Sequence, residues 1–154
     1  MSLFESINSG DLQSFKEAVR TGSDINQKDE RGFTPLILAS YFNHAEIVAY
    51  FIKSGANIND SDSAGHTALL GASFKGYNEI IQILIDNGAD KDHQGNNGST
   101  ALIYAATFGQ KETVKLLLNN DVSINIKDHN GMTALNHAQS KGHQAIVAFL
   151  ENCD

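Results

Sequence analysis

Thr34, Thr67, Thr100 and Thr133 stand 33 residues apart, each inside nearly the same phrase. The four phrases read "RGFTPLILASYFNH", "AGHTALLGASFKGY", "NGSTALIYAATFGQ" and "NGMTALNHAQSKGH". A period this strict constrains the fold more than composition does. It means one supersecondary unit is copied along the chain, and each copy buries its apolar face on the next.

The register holds at other positions. Gly32, Gly65, Gly98 and Gly131 precede the threonines by two residues, where a tight turn calls for positive φ. A threonine hydroxyl accepts from the free N–H groups of a first helical turn. Proline tolerates the first helical position and alanine favours it. Pro35, Ala68, Ala101 and Ala134 therefore continue the signal. Leu36, Leu69, Leu102 and Leu135 then share a helix face with Ala39, Ala72, Ala105 and Ala138, and the small alanines admit a close neighbour. Asn43, Gly76, Gly109 and Gly142 end these first helices. "AEIVAYFIKSG", "NEIIQILIDNG" and "KETVKLLLNND" follow, with apolar residues three and four apart, the pattern of an amphipathic second helix. Gly22, Gly55 and Gly88 stop it, with Asp121 as the exception, and polar turn-rich connectors lead to the next unit.

The order G-x-T-[PA]-L, a small residue, G, an apolar helix and G-A-[DN] closely resembles the ankyrin repeat over essentially the whole chain. The resemblance implies an all-α solenoid of stacked helix-turn-helix units with β-hairpin-like connectors. Its units are an N-terminal capping unit at 1–28, repeats at 29–61, 62–94 and 95–127, and a C-terminal capping repeat at 128–154. The histidine of the family signature is missing, since Ile37, Leu70, Ile103 and Asn136 stand there. Looser links between connectors are expected. In the first unit Met1 falls where the capping threonine belongs. Glu17 and Glu151 replace apolar residues of the inner units, the polar outer faces that end units need, and predict a chain complete at both ends.

The chain has 154 residues with 41% apolar and 19% charged, enough to bury a core. A net charge of −7 disfavours a nucleic-acid backbone as partner. No run approaches a membrane span, and "MSLFESINSGD" is not a signal peptide. With the lone Cys153 excluding an internal disulfide, a cytoplasmic monomer with no membrane attachment is the expectation. Neither catalysis nor a cofactor or metal is expected. The six histidines lack zinc-protease spacing. His44 and His143 take the second place of a G-H pair that is usually structural in the family. "NDSDSAG" at 59–65 lacks the EF-hand spacing and its glutamate. "GNNGS" at 95–99 lacks the lysine of a phosphate loop, and no serine sits in G-x-S-x-G.

Recognition of another protein is therefore the expected function, as adaptor, inhibitor or effector. The alternatives are a self-associating scaffold and, from a different class, a hydrolase or metal-dependent enzyme built across units. The resemblance places partners on the concave side, formed by connector tips and the first helices. Position by position that implies Arg31, Phe33, His66, Asn97, Ser99 and Met132 in the connectors. On the first helices it implies Tyr41, Phe42, Phe74, Lys75, Thr107, Phe108 and Lys141. Phe33, Tyr41, Phe42, Phe74 and Phe108 carry weight as a group, because aromatics dominate binding hot spots. Arg31, Lys75 and Lys141 are suited to steering an acidic partner.

Overall fold

The computed structural model describes residues 1–153. Among these described residues ten helices follow one another as five pairs. The first helices are α1 (Leu3–Ser9), α3 (Pro35–Tyr41), α5 (Ala68–Lys75), α7 (Ala101–Thr107) and α9 (Ala134–Lys141). The second helices are α2 (Leu12–Arg20), α4 (Ala45–Lys53), α6 (Asn78–Asp86), α8 (Lys111–Asn119) and α10 (Gln144–Glu151). Each first helix touches the next first helix, each second helix the next second helix, and the two helices of a unit touch each other. The architecture is thus a one-dimensional stack with the core running along its length.

The threonines cap as expected. The Thr34, Thr67, Thr100 and Thr133 hydroxyls accept from the N–H groups of Ile37, Leu70, Ile103 and Asn136. The first unit solves the same problem one residue later than its register. Ser2, not Met1, caps α1, and Glu5 returns a bond to the Ser2 backbone, a reciprocal capping box. Asn43 and Asp121 take φ of 63° and 60° where other units place glycine.

Ala39, Ala72, Ala105 and Ala138 are completely buried between first helices, and Ser6 occupies the equivalent place in the first unit. Between second helices the core is carried by Phe15, Val48, Ile81 and Val114, all 0% exposed. Phe15 meets Phe51 edge-on at 4.2 Å between ring centroids and so fastens the first unit to the second.

The connectors contain tight turns and no strand among the described residues. In the 62–94 unit, Asp62 N–H donates to the His66 carbonyl and Gly65 N–H to the Asp62 carbonyl, each at 3.0 Å. The missing signature histidine was expected to loosen the links between connectors, but the connectors supply their own. Asn96 N–H donates to the Ala64 carbonyl and His129 N–H to the Asn97 carbonyl, both at 3.0 Å. Ser63 Oγ donates to the Arg31 carbonyl at 2.7 Å. A second ladder runs through the turns that leave the second helices. Asn26, Asn59 and Asp92 side chains accept from the N–H groups of Asn57, Asp90 and Ser123, always 31 residues on. His44 and His143 are structural, as the resemblance implies. Their rings lie against Gly10 and Gly109 at the ends of the first helices one unit back, and His143 Nε2 lies 3.1 Å from the Thr107 carbonyl.

In the last unit the connector is closed by Asp128, which is 8% exposed. Its carboxylate accepts from Asn130 N–H, Met132 N–H and, at 2.7 Å, His137 Nε2. Burial pushes its pKa up, but the His137 bond and the two N–H groups outweigh this and hold it below the ordinary carboxylate value. Since the folded-state pKa is depressed, its contribution is present above the unfolded-chain pKa and is lost as pH falls through the folded one. Asp128→Ala is expected to cost about 2 kcal/mol near neutral pH, because it strands three donors. In urea unfolding, the gap to the parent should narrow as pH drops below about 4. A gap independent of pH would contradict this account.

Candidate functional site

A groove of about 380 Å³ opens on the face made of connectors and first helices. Its position follows from one register of the repeat. Leu38, Gly71, Tyr104 and His137 are equivalent residues of α3, α5, α7 and α9. In α5 that residue has no side chain, and a Cβ placed on Gly71 would meet nothing within 4 Å. The gap between Leu38 and Tyr104 is the floor of the groove. Ile37 and Leu70 extend the apolar lining, and Thr67 and Asp62 complete it on the connector side.

The groove gathers six of the thirteen residues proposed from sequence: Arg31, Phe33, Tyr41, Phe42, His66 and Phe74. Tyr41 and Phe42 are 44% and 42% exposed, and their rings meet edge-on at 5.7 Å. Lys75 joins them through its ammonium, 4.6 Å from the Tyr41 ring centroid. Phe108, 51% exposed, continues the surface by packing on Phe74 at 4.5 Å. Eight of the thirteen therefore form one contiguous patch across α3, α5 and α7.

The other five lie off the groove lining. Asn97 is exposed at a connector tip, Thr107 is half-buried with its hydroxyl bonded to the Ile103 carbonyl, and Met132 and Lys141 belong to the last unit. Ser99 corrects the expectation. It is 6% exposed and offers no contact surface, because its short side chain stays within the connector where Phe33 and His66 extend outward. Asp62 was read only as part of the calcium-like "NDSDSAG" stretch, and Tyr104, Gly71 and Leu38 went unnoticed in the sequence. The signal for them was a glycine interrupting a helix between a leucine and a tyrosine of the same register.

One wall is fixed by a chain of polar contacts across two units. Asn97 Oδ1 accepts from Ser99 N–H at 2.9 Å, which orients the amide so that its Nδ2 donates to the Tyr104 hydroxyl at 3.2 Å. The Tyr104 proton is then free for His66 Nε2 at 2.8 Å. The other ring nitrogen, Nδ1, faces the Asp62 carboxylate at 3.8 Å. Asp62 is itself held by the N–H groups of Ala64 and His66 at 2.9 Å. Every member has a structural partner, and the Tyr104 hydroxyl in mid-row is bonded on both sides. Among the described residues no group of three or more His, Cys, Asp or Glu is placed to hold a metal ion, and no helix is long and apolar enough to cross a membrane.

Comparison with known proteins agrees with this architecture. Over 54 residues the chain is 41% identical to the human DNA-binding protein RFXANK, covering 34% of this chain and 21% of the relative. Over 52 residues it is 40% identical to human protein phosphatase 1 regulatory subunit 27, covering 34% of each. The mouse subunit matches equally. The aligned stretches thus span between a fifth and a third of these relatives. The family model for ankyrin repeats in three copies matches residues 3–95 and again residues 71–154. With the stacked helix pairs, the threonine caps and these matches along nearly its full length, the chain belongs to the ankyrin-repeat family.

Proposed function

We propose that this protein is a non-enzymatic recognition module that binds a partner protein through the connector and first-helix face, acting as a single chain. Ankyrin repeats are protein–protein interaction modules, and an architecture of this kind offers a rigid surface that loses little entropy on binding. The observation that carries the reading is the exposed aromatic patch of Tyr41, Phe42 and Phe108 around a groove backed by Phe74. Large aromatics left in water beside a concavity mark contact sites.

The test is affinity capture from an extract of the source cells. The intact protein is compared with a variant carrying Tyr41→Ala, Phe42→Ala and Phe74→Ala. Loss of about 1–2 kcal/mol per hot-spot ring should reduce a specifically captured protein by at least tenfold, with the helical circular dichroism unchanged. Equal capture by both proteins would refute the proposed surface.

A further inference from the structure

The groove does more than mark a face. We infer that the gap above Gly71 is a socket for one large apolar side chain of the partner, presented on a peptide segment with acidic residues beside it. The inference rests on the reading that this face is the contact surface, and it names what the face selects.

Glycine inside a helix is unfavourable, and alanine would meet no atom at this position. Equivalent positions carry Leu38 and Tyr104, so the register accepts bulk in neighbouring units. The missing side chain therefore leaves a hole that the fold itself does not require. Its floor and walls are apolar or aromatic, from Leu38, Leu70, Phe33, Phe74 and Tyr104. The volume of about 380 Å³ lies at the small end of ligand sites, which suits one anchoring side chain and a short length of backbone. The walls do not yield, because Tyr104 is held by His66 and Asn97.

Charge identifies what lies beside the anchor. The chain carries −7 overall, yet the groove is flanked by two cations, Lys75 and Arg31, the latter 71% exposed and only loosely paired with Asp29 at 3.6 Å. The Arg31 guanidinium lies 4.7 Å from the Phe33 ring centroid and the Lys75 ammonium 4.6 Å from that of Tyr41. Those aromatic faces are already occupied by positive charge, so a cationic ligand such as a methylated lysine meets repulsion rather than a cage. The carboxylate that lines the groove, Asp62, is turned into its own connector and only 7% exposed. Carboxylates flanking the anchor therefore find Arg31 and Lys75 at the rim.

The probe is a capped peptide, Gly-Glu-Trp-Glu-Gly, titrated into the isotope-labelled protein and followed by amide NMR. Shifts are expected at Leu70, Gly71, Phe74 and Tyr104. Replacing the tryptophan of the probe by alanine should weaken binding at least tenfold. Exchanging its glutamates for lysines should weaken it several-fold, an effect that salt reduces. Gly71→Leu fills the socket from within while favouring the helix, so it should abolish binding with no loss of melting temperature. Gly71→Ala is the milder control, folding as well and binding less tightly than the parent. No shift at millimolar peptide, equal binding by Gly71→Leu, or tighter binding of a trimethyl-lysine peptide would each overturn the socket. In the capture experiment, a protein retained by Gly71→Leu but lost with the triple alanine variant would sink the socket and leave the contact face standing.

Discussion

Phe15→Ala is expected to release the first unit of the stack while leaving the others folded. The ring is 0% exposed, its centroid lies 4.2 Å from that of Phe51 and 5.6 Å from that of Tyr50, and it is the largest buried side chain of α2. Removing a buried phenylalanine costs about 3–5 kcal/mol, against about 5–15 kcal/mol for a whole domain. In a stack the cost falls on the nearest interface rather than on the entire molecule. Hydrogen exchange should therefore show amides of α1 and α2 opening by local unfolding, with α5, α7 and α9 close to their parent protection. A single cooperative loss across all ten helices would show that the units are coupled far more strongly than nearest-neighbour contacts explain.

The second large effect is expected from a single methyl group at Gly98. Its φ is +82°, and an added Cβ would stand 2.7 Å from the His129 backbone nitrogen and 3.0 Å from the Asp128 carbonyl carbon. Backbone cannot swing aside as a side chain can. Relief means pushing the last connector away and losing the bond from His129 N–H to the Asn97 carbonyl. Gly98→Ala should cost about 3 kcal/mol or more, combining left-handed strain with a lost connector bond. Gly131 provides the comparison, with a similar φ of +76° and nothing near its missing Cβ. Gly131→Ala should cost only the strain, about 1 kcal/mol. Denaturant midpoints of the two variants measure the difference directly. Equal losses would mean that connector crowding contributes nothing.

These two variants also mark what was legible in the sequence. Every threonine cap and every helix of the four full units was readable, because caps and amphipathic spacing are local. The cap of α1 was not read, because the register led only to Met1, although "SLFE" at residues 2–5 carries a capping box in plain view. The candidate surface was readable only in part. Tyr41, Phe42 and Phe74 were reached through the resemblance, which implies that these positions face a partner. Tyr104 was missed because its partner His66 is 38 residues away, and nothing in either segment announces the other. Gly71 was missed for a related reason. A glycine in a helix reads as a minor flaw until the neighbours in three dimensions show an empty space above it. Ser99 was overcounted because exposure depends on how far a side chain reaches beyond its connector.

The ladder of Asn26, Asn59 and Asp92 to Asn57, Asp90 and Ser123 bears on how such a chain can grow. Both ends of every rung belong to adjoining copies, and the separation is constant. A whole copy duplicated in frame would thus bring its own rung and restore the one it interrupts, whereas adding a single residue would mismatch every rung that crosses it. The number of copies is the quantity this architecture leaves free to change, and the phase between them is what it holds fixed.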